Sequence, residues 1–313
     1  MNILITNIDL MEIGGTQTWT KTVAEELVSN GHSVTFVSGR IGDYYNKELA
    51  LLGPAIKGTR DVHSFDFAIV NHPIAFGYLF RTDLFCMSVT HGPTHKLETP
   101  ILGAGKYFCV SEEIRDTYKD IFDMEVIRQP VDVDMFQPNW AEWSTEIPLV
   151  NTDSEMPRVF INCKNKMAME MAMEACATAG FSYDAMHYKE SPVYDPVEKM
   201  QKCNIAITSG RGAVEAMAMG MGVIVFNARR DRRGYVLGIN ADGWITPENV
   251  KNLASVNYSG RFKSDDWDVD QIRNALTQWQ SKRVMRKWVE NNHNAHDIVD
   301  RFVSEVEYAN IAS

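Results

Sequence analysis

The sequence predicts an α/β protein with parallel sheets, and three observations predict it. Short apolar, β-branched runs turn at glycine into amphipathic segments and back again, the alternation of βαβ units. The runs are apolar almost throughout, as strands covered on both faces must be. At 313 residues, with 45% apolar and 23% charged residues, the chain holds enough material for two ordinary cores.

The elements follow in order. Asn2–Ile8 predicts a strand, and Asp9–Gly15 a loop closing on Gly14 and Gly15. Trp19, Val23 and Leu27 recur every four residues, so Thr16–Asn30 reads as a helix ended by a left-handed Gly31. With a strand at Ser33–Ser38, this opening has the form of a phosphate-handling half, although GGTQ lacks the third glycine of a dinucleotide fingerprint. Further strands fall at Asp66–Asn71, Leu84–His91 and Lys106–Ser111. His91 closes one of them, placed to hydrogen-bond a sugar hydroxyl, a phosphate or a backbone carbonyl, or simply to hold the fold. Pro93 separates it from His95, so the two make no helical metal clamp. SEEIRDTYKDIF predicts a helix capped by Ser111, and Gln137–Pro157, with three prolines, reads as a linker.

The stretch SGRGAVEAMAMGMGVIVF, Ser209–Phe226, organises the second half. A strand at Asn204–Thr208 leads through Ser209, Gly210 and Arg211 into a helix opening at about Gly212, with Glu215 in its first turn and a second strand behind it. Such a loop lies at the carboxyl edge of a parallel sheet, where ligands bind. The helix N-terminus offers unpaired N–H groups to phosphate, and Glu215 is placed to accept two hydrogen bonds from a ribose diol. The plainer reading makes Glu215 an acid that suits the first turn of any helix.

Around this unit, VFINCKNK is a strand and the Met-rich KMAMEMAMEACATAG a helix closed by Gly180, its methionines core packing. Phe181–Lys189 reads as a strand and DPVEKMQKC as a short helix. After Phe226 stand Arg229, Arg230, Arg232 and Arg233, four guanidiniums in five residues, suited to a pyrophosphate or an anionic acceptor, or else paired to Asp231 in a solvated loop. The Asp-x-Asp of SDDWDVD precedes a helix and is read as capping, with no metal site. A terminal helix spans Asn291–Asn310, with His293 and His296 on a polar face.

Net charge is −10, which excludes binding of the whole surface to nucleic acid or anionic membrane and leaves local basic patches. Five widely spaced cysteines predict reduced, buried thiols. With no leader pattern and no apolar run near 18 residues, a cytoplasmic protein is expected, in the host cytoplasm were the chain viral.

Three stretches, CVSEEIRDTYKD, VIRQPVDVDMFQP and EAMAMGMGVIV, resemble in content and order the signatures of glycosyltransferase family 4 and its relatives of the GT-B fold. The resemblance implies two Rossmann-like domains facing each other across a cleft. Residues 1–140 would form the acceptor side with helix 291–313 packed back on it, 141–157 the linker, and 158–290 the nucleotide-sugar domain. It implies that Glu215 binds the donor ribose and that Gly14 and Gly15, followed by Thr16 and Gln17, approach the donor phosphate or acceptor. His91 would lie near the transferred sugar, and Lys164 or Lys166 near the diphosphate. Two departures stand out. The family's first glutamate, eight positions before Glu215, falls on Ile207, and SGRG resembles the shorter loop of other GT-B transferases and of UDP-sugar epimerases.

The expected function is a hexosyl- or pentosyltransferase using a UDP-sugar, retaining, with no metal and no cofactor. Fixed cations and helix N-termini would stabilise the departing diphosphate. The acceptor is a glycan or a modified base in phage DNA, gripped by the arginine cluster and SKRVMRKW (Ser281–Trp288). The alternatives are a UDP-sugar epimerase and a catalytically silent nucleotide-sugar-binding protein.

Overall fold

The computed structural model describes residues 1–56, 64–73, 84–93, 96–138, 157–186, 195–230, 236–263, 265–279 and 285–312. Two units divide it: residues 1–130 with 293–313, and residues 131–292. The segment read as a linker falls mostly on residues outside those described.

In the first unit the apolar runs become β1 (Asn2–Thr6), β2 (Asp9–Leu10), β3 (Ser33–Val37), β4 (Arg40–Ile41), β5 (Ala55–Ile56), β6 (Phe67–Val70), β7 (Phe85–Thr90), β8 (Lys106–Cys109) and β9 (Glu125–Val126). Seven of them form one sheet in the order β5-β3-β1-β6-β7-β8-β9, every pair parallel. β6 is buried along its whole length, the burial that its unbroken apolar sequence demands. The loop expected at Asp9–Gly15 begins with β2, which pairs with β4.

Helix α1 (Gly15–Ser29) buries Trp19, Val23 and Leu27, and Gly31 ends it at φ 81°. Helix α2 (Glu112–Tyr118) follows Ser111, but the Ser111 hydroxyl makes no capping bond; it is buried, without a partner among the described residues. The C-terminal helix (Ala295–Ala312) belongs to this unit. It buries Val299, Phe302 and Val306, and the Phe302 ring meets Trp19 and Phe108 edge-on, at 6.0 and 5.2 Å between centroids.

The two histidines read as its polar face part company, since His293 precedes the helix. His293 is buried, bonded through Nδ1 to the Gln129 carbonyl at 2.8 Å. His296 is exposed and lies 2.8 Å from Glu26 on α1 and 3.4 Å from Asp300. These carboxylates, Glu26 first, raise its pKa above 6.5. The stability that this charge adds is complete below the ordinary histidine value and is lost as pH rises through the higher folded value. Urea midpoints between about pH 6 and pH 9 should fall less in Glu26→Gln than in the parent; equal falls would remove His296 from the argument.

The second unit contains β10 (Val159–Asn162), α3 (Lys166–Ala179), β11 (Tyr183–Met186), α4 (Val197–Met200), β12 (Ile205–Thr208), α5 (Arg211–Ala218), β13 (Gly222–Arg230), β14 (Val236–Trp244), α6 (Val250–Ser255), β15 (Asp265–Asp266), α7 (Val269–Thr277) and α8 (Met285–Asn292). Strands β11-β10-β12-β13 are parallel, and β14 and β15 extend the sheet antiparallel. α5 sits wholly within one hydrophobic cluster, its Ala213, Val214, Ala216, Met217 and Ala218 all fully buried. Asp268 caps α7 in a reciprocal box with Gln271, as read from SDDWDVD. All five cysteines are buried and unbridged. No helix among the described residues is long and apolar enough to cross a membrane.

Candidate functional site

The organising stretch folds as strand, turn, helix, strand. β12 ends at Thr208, and Gly210 turns the chain with φ 59° and ψ −131°, a conformation open to glycine. α5 then starts without any side-chain cap. Gly212 is held so close to the strand ends that an added Cβ would stand 2.5 Å from Thr208 Oγ1 and 3.3 Å from Asn162 Nδ2. The helix N-terminus thus rests on the carboxyl ends of β10 and β12, with the Ala213 N–H donating back to the Gly210 carbonyl at 3.1 Å.

Glu215 lies one turn further in than its sequence context suggests, since the first turn holds no acid. It is 8% exposed, and Arg211 Nε donates to its Oε1 at 2.7 Å. Burial pushes its carboxyl pKa up and Arg211 pulls it back. A buried carboxylate is kept only with partners, and here Arg211 is one. Ile207, where the family's other glutamate would fall, is wholly buried in β12.

A loop that sequence reasoning passed over supports the turn. Asn257 and Tyr258 both adopt positive φ, 54° and 49°, and the Tyr258 carbonyl accepts from Gly210 N at 2.8 Å. Trp288 Nε1 donates to the Tyr258 hydroxyl at 2.9 Å. Consecutive left-handed residues outside glycine store strain that surrounding contacts must hold. Asn-Tyr-Ser-Gly, with its turn-forming ends, was the available signal.

Lys164 follows β10 and Lys166 opens α3, both exposed, but Asn165 already caps that helix by accepting from Ala168 N at 3.2 Å. Arg229 and Arg230 do not stand in a loop directly off the parallel sheet, because β13 outruns β12: β12 pairs with it only to Val225, and both arginines sit on the part paired with β14 alone. Arg232 and Arg233 lie outside the described residues. Within SKRVMRKW, Arg286 is no phosphate grip; it donates to the carbonyls of Phe136, Ala218 and Val133 at 2.8, 2.6 and 3.0 Å and pairs with Glu290. Residues 281–284 lie outside those described.

In the first unit the glycine loop is closed by Gln17, whose Nε2 donates to the Asp9 carbonyl at 2.8 Å while its Oε1 accepts from Thr16 Oγ1 at 3.2 Å. Gly14 caps α1, and a Cβ there would stand 2.4 Å from Gln17 Oε1. The space is already filled by the carboxamide. Past the ends of β1 and β6, Asn7 and Asn71 meet Thr20 of α1, and past the end of β7 His91 meets Asn71. His91 Nε2 is 2.9 Å from Asn71 Oδ1, and Trp19 packs edge-on against the ring at 5.2 Å. Burial, then the charge of His72, drive the His91 pKa down to about 3. Asn71 was legible by the rule that picked out His91, the first polar residue after a buried strand.

No protein-family model and no curated protein matches the sequence. Solved structures do. HepE of Anabaena, in complex with UDP and glucose, is 11% identical over 98% of this chain and 99% of that one, with a TM-score of 0.63. An α-glucosyltransferase, in complex with UDP and a 13-mer DNA containing an A:G mismatch, is 10% identical over 98% and 100%, TM-score 0.61. AviGT4, a glycosyltransferase involved in avilamycin A biosynthesis, is 14% identical over 98% and 97%, TM-score 0.58. At these identities the likeness is one of fold, and the two Rossmann-like units are those of the GT-B architecture.

Proposed function

We propose that the chain is a GT-B glycosyltransferase that moves a sugar from a UDP-sugar to an acceptor hydroxyl, with retention and without metal or cofactor. The observation that carries the reading is Glu215, a buried carboxylate one turn behind an uncapped helix N-terminus. Glu215 takes the ribose diol; the helix N-terminus that follows the Gly210 turn, at Gly212, takes phosphate, with Ser209 alongside. Arg211 holds Glu215 ionised until the ribose arrives. Lys164 or Lys166 and the arginines after Phe226 neutralise the departing diphosphate, the work a metal does elsewhere. In the first unit His91 contacts the transferred sugar, and Gly14 and Gly15 admit phosphate or acceptor. UDP in two of the similar structures supports the choice of nucleotide.

The acceptor is a glycan or a modified base in DNA. DNA in the α-glucosyltransferase complex and the arginine pair ending β13 support the latter. DNA binding that weakens steeply between low and moderate salt, and less steeply in Arg229→Ala, is the expected sign.

The test of the donor reading is thermal stabilisation by nucleoside diphosphates and their sugars. A ligand at about 100 times its dissociation constant adds roughly 2.7 kcal/mol. Glu215→Gln, which keeps the shape and loses the charge, should bind roughly tenfold to a hundredfold more weakly, the 1.5 to 3 kcal/mol of a charged hydrogen bond. If no nucleotide shifts the parent's melting curve, the reading is wrong.

A further inference from the structure

We infer that Asn71 is a positioning residue that locks His91 with its proton on Nε2, so that the ring offers its ligand an acceptor at Nδ1. The ligand there is a hydroxyl, not a phosphate or carboxylate. The inference rests on the reading of His91 as a sugar contact and adds the sense of that hydrogen bond.

A chain of bonds of fixed direction carries it. The Thr16 carbonyl can only accept, so Thr20 Oγ1, 2.8 Å away, gives it the hydroxyl proton. Thr20 Oγ1 is then left to accept, from Asn7 Nδ2 at 3.1 Å and Asn71 Nδ2 at 3.4 Å. Asn71 Nδ2 also donates to the Thr6 carbonyl at 2.8 Å. Reversing the Asn71 amide would set oxygen against oxygen at Thr6 and break both bonds. Its Oδ1 therefore faces His91 Nε2, and two acceptors cannot bond, so Nε2 carries the proton.

A neutral imidazole has one proton to place. The depressed pKa keeps the ring neutral, so Nδ1 is bare, and no described residue donates to it. Trp19 holds the ring against rotation, and His91 keeps part of its surface exposed. Phosphate oxygens would meet a lone pair at Nδ1 and be repelled; a sugar hydroxyl can turn its proton toward it.

The experiment is long-range proton–nitrogen NMR of the ligand-free, 15N-labelled protein near neutral pH, followed by binding of UDP-sugars in which single hydroxyls are replaced by fluorine, which cannot donate. The expected spectrum shows His91 protonated on Nε2 and bare on Nδ1, with Asn71→Asp adding a proton at Nδ1 by placing a charge beside Nε2. One fluorinated position should bind about twofold to tenfold more weakly than its parent sugar, the worth of a neutral hydrogen bond. His91→Ala should abolish that difference. A proton on Nδ1 in the wild type overturns the lock whatever the ligand, and that spectrum needs no variant to fold. An indifferent response to every fluorinated sugar overturns the hydroxyl assignment. The expected tautomer with no nucleotide-sugar binding overturns instead the reading on which that assignment rests.

Discussion

Arg211→Ala should destabilise the second unit by about 3 kcal/mol. Both side chains of the Arg211–Glu215 pair are 10% exposed, so removing the guanidinium leaves a carboxylate buried and uncompensated. Breaking a buried pair costs about 3 to 5 kcal/mol, and the remaining exposure places this one at the lower end. The sign with pH follows from the same geometry. Burial already raises the folded Glu215 pKa, and Arg211 is what restrains it. A raised carboxyl binds its proton more tightly folded than unfolded, so stability falls as pH climbs from the ordinary carboxylate range through the folded value. Without Arg211 that window widens upward and the fall deepens. Urea titrations of the parent and variant at acidic and neutral pH measure it. The double variant Arg211→Ala, Glu215→Gln should recover much of the loss, because an amide needs no counter-charge. Equal destabilisation at both pH values, with no recovery, would mean that Arg211 acts by packing and that Glu215 is already protonated.

What could be read from the sequence follows from how local each cause is. Strands buried on both faces announce themselves as unbroken apolar runs, so β1, β3, β6, β7 and β8 lie within a residue or two of where the pattern puts them. Gly31 and Gly180, at φ 81° and 79°, end their helices as a side-chain-free left-handed cap must. Contacts distant in sequence leave no such trace. Nothing in NARRDRRGY says that β13 will leave the parallel sheet and continue against an antiparallel β14, since a mobile loop and a hairpin arm share that composition. Nothing in SKRVMRKW says that Arg286 will spend its guanidinium on three carbonyls instead of on phosphate. For Glu215 the sequence supplied the residue and its helix but not its burial or its bond to Arg211. Asn71 shows the remaining limit: its place after β6 was visible, while its bonds to Thr6, Thr20 and His91 exist only once three strands and a helix meet.

Phe302→Ala should cost the first unit about 3 to 5 kcal/mol, the range for emptying a buried aromatic site. Phe302 has no exposed surface and stands where the C-terminal helix meets α1 and the sheet, its ring edge-on to Trp19 and to Phe108. Neither neighbour can collapse into the gap, because Phe108 is fixed in β8 and Trp19 in the first turns of α1. Phe302→Leu, which keeps most of the volume, should cost under half as much. The functional consequence is separable from the stability loss, because Trp19 is also the ring against which His91 stands. In Phe302→Ala, under conditions where the protein remains folded, His91 should lose its fixed ring orientation, seen as broadening of its imidazole signals, while Phe302→Leu keeps them sharp. Denaturant midpoints and the same imidazole spectra make both measurements. A loss below about 1 kcal/mol would mean that the C-terminal helix does not seal this core; unchanged imidazole signals would mean that Trp19 holds its place without Phe302.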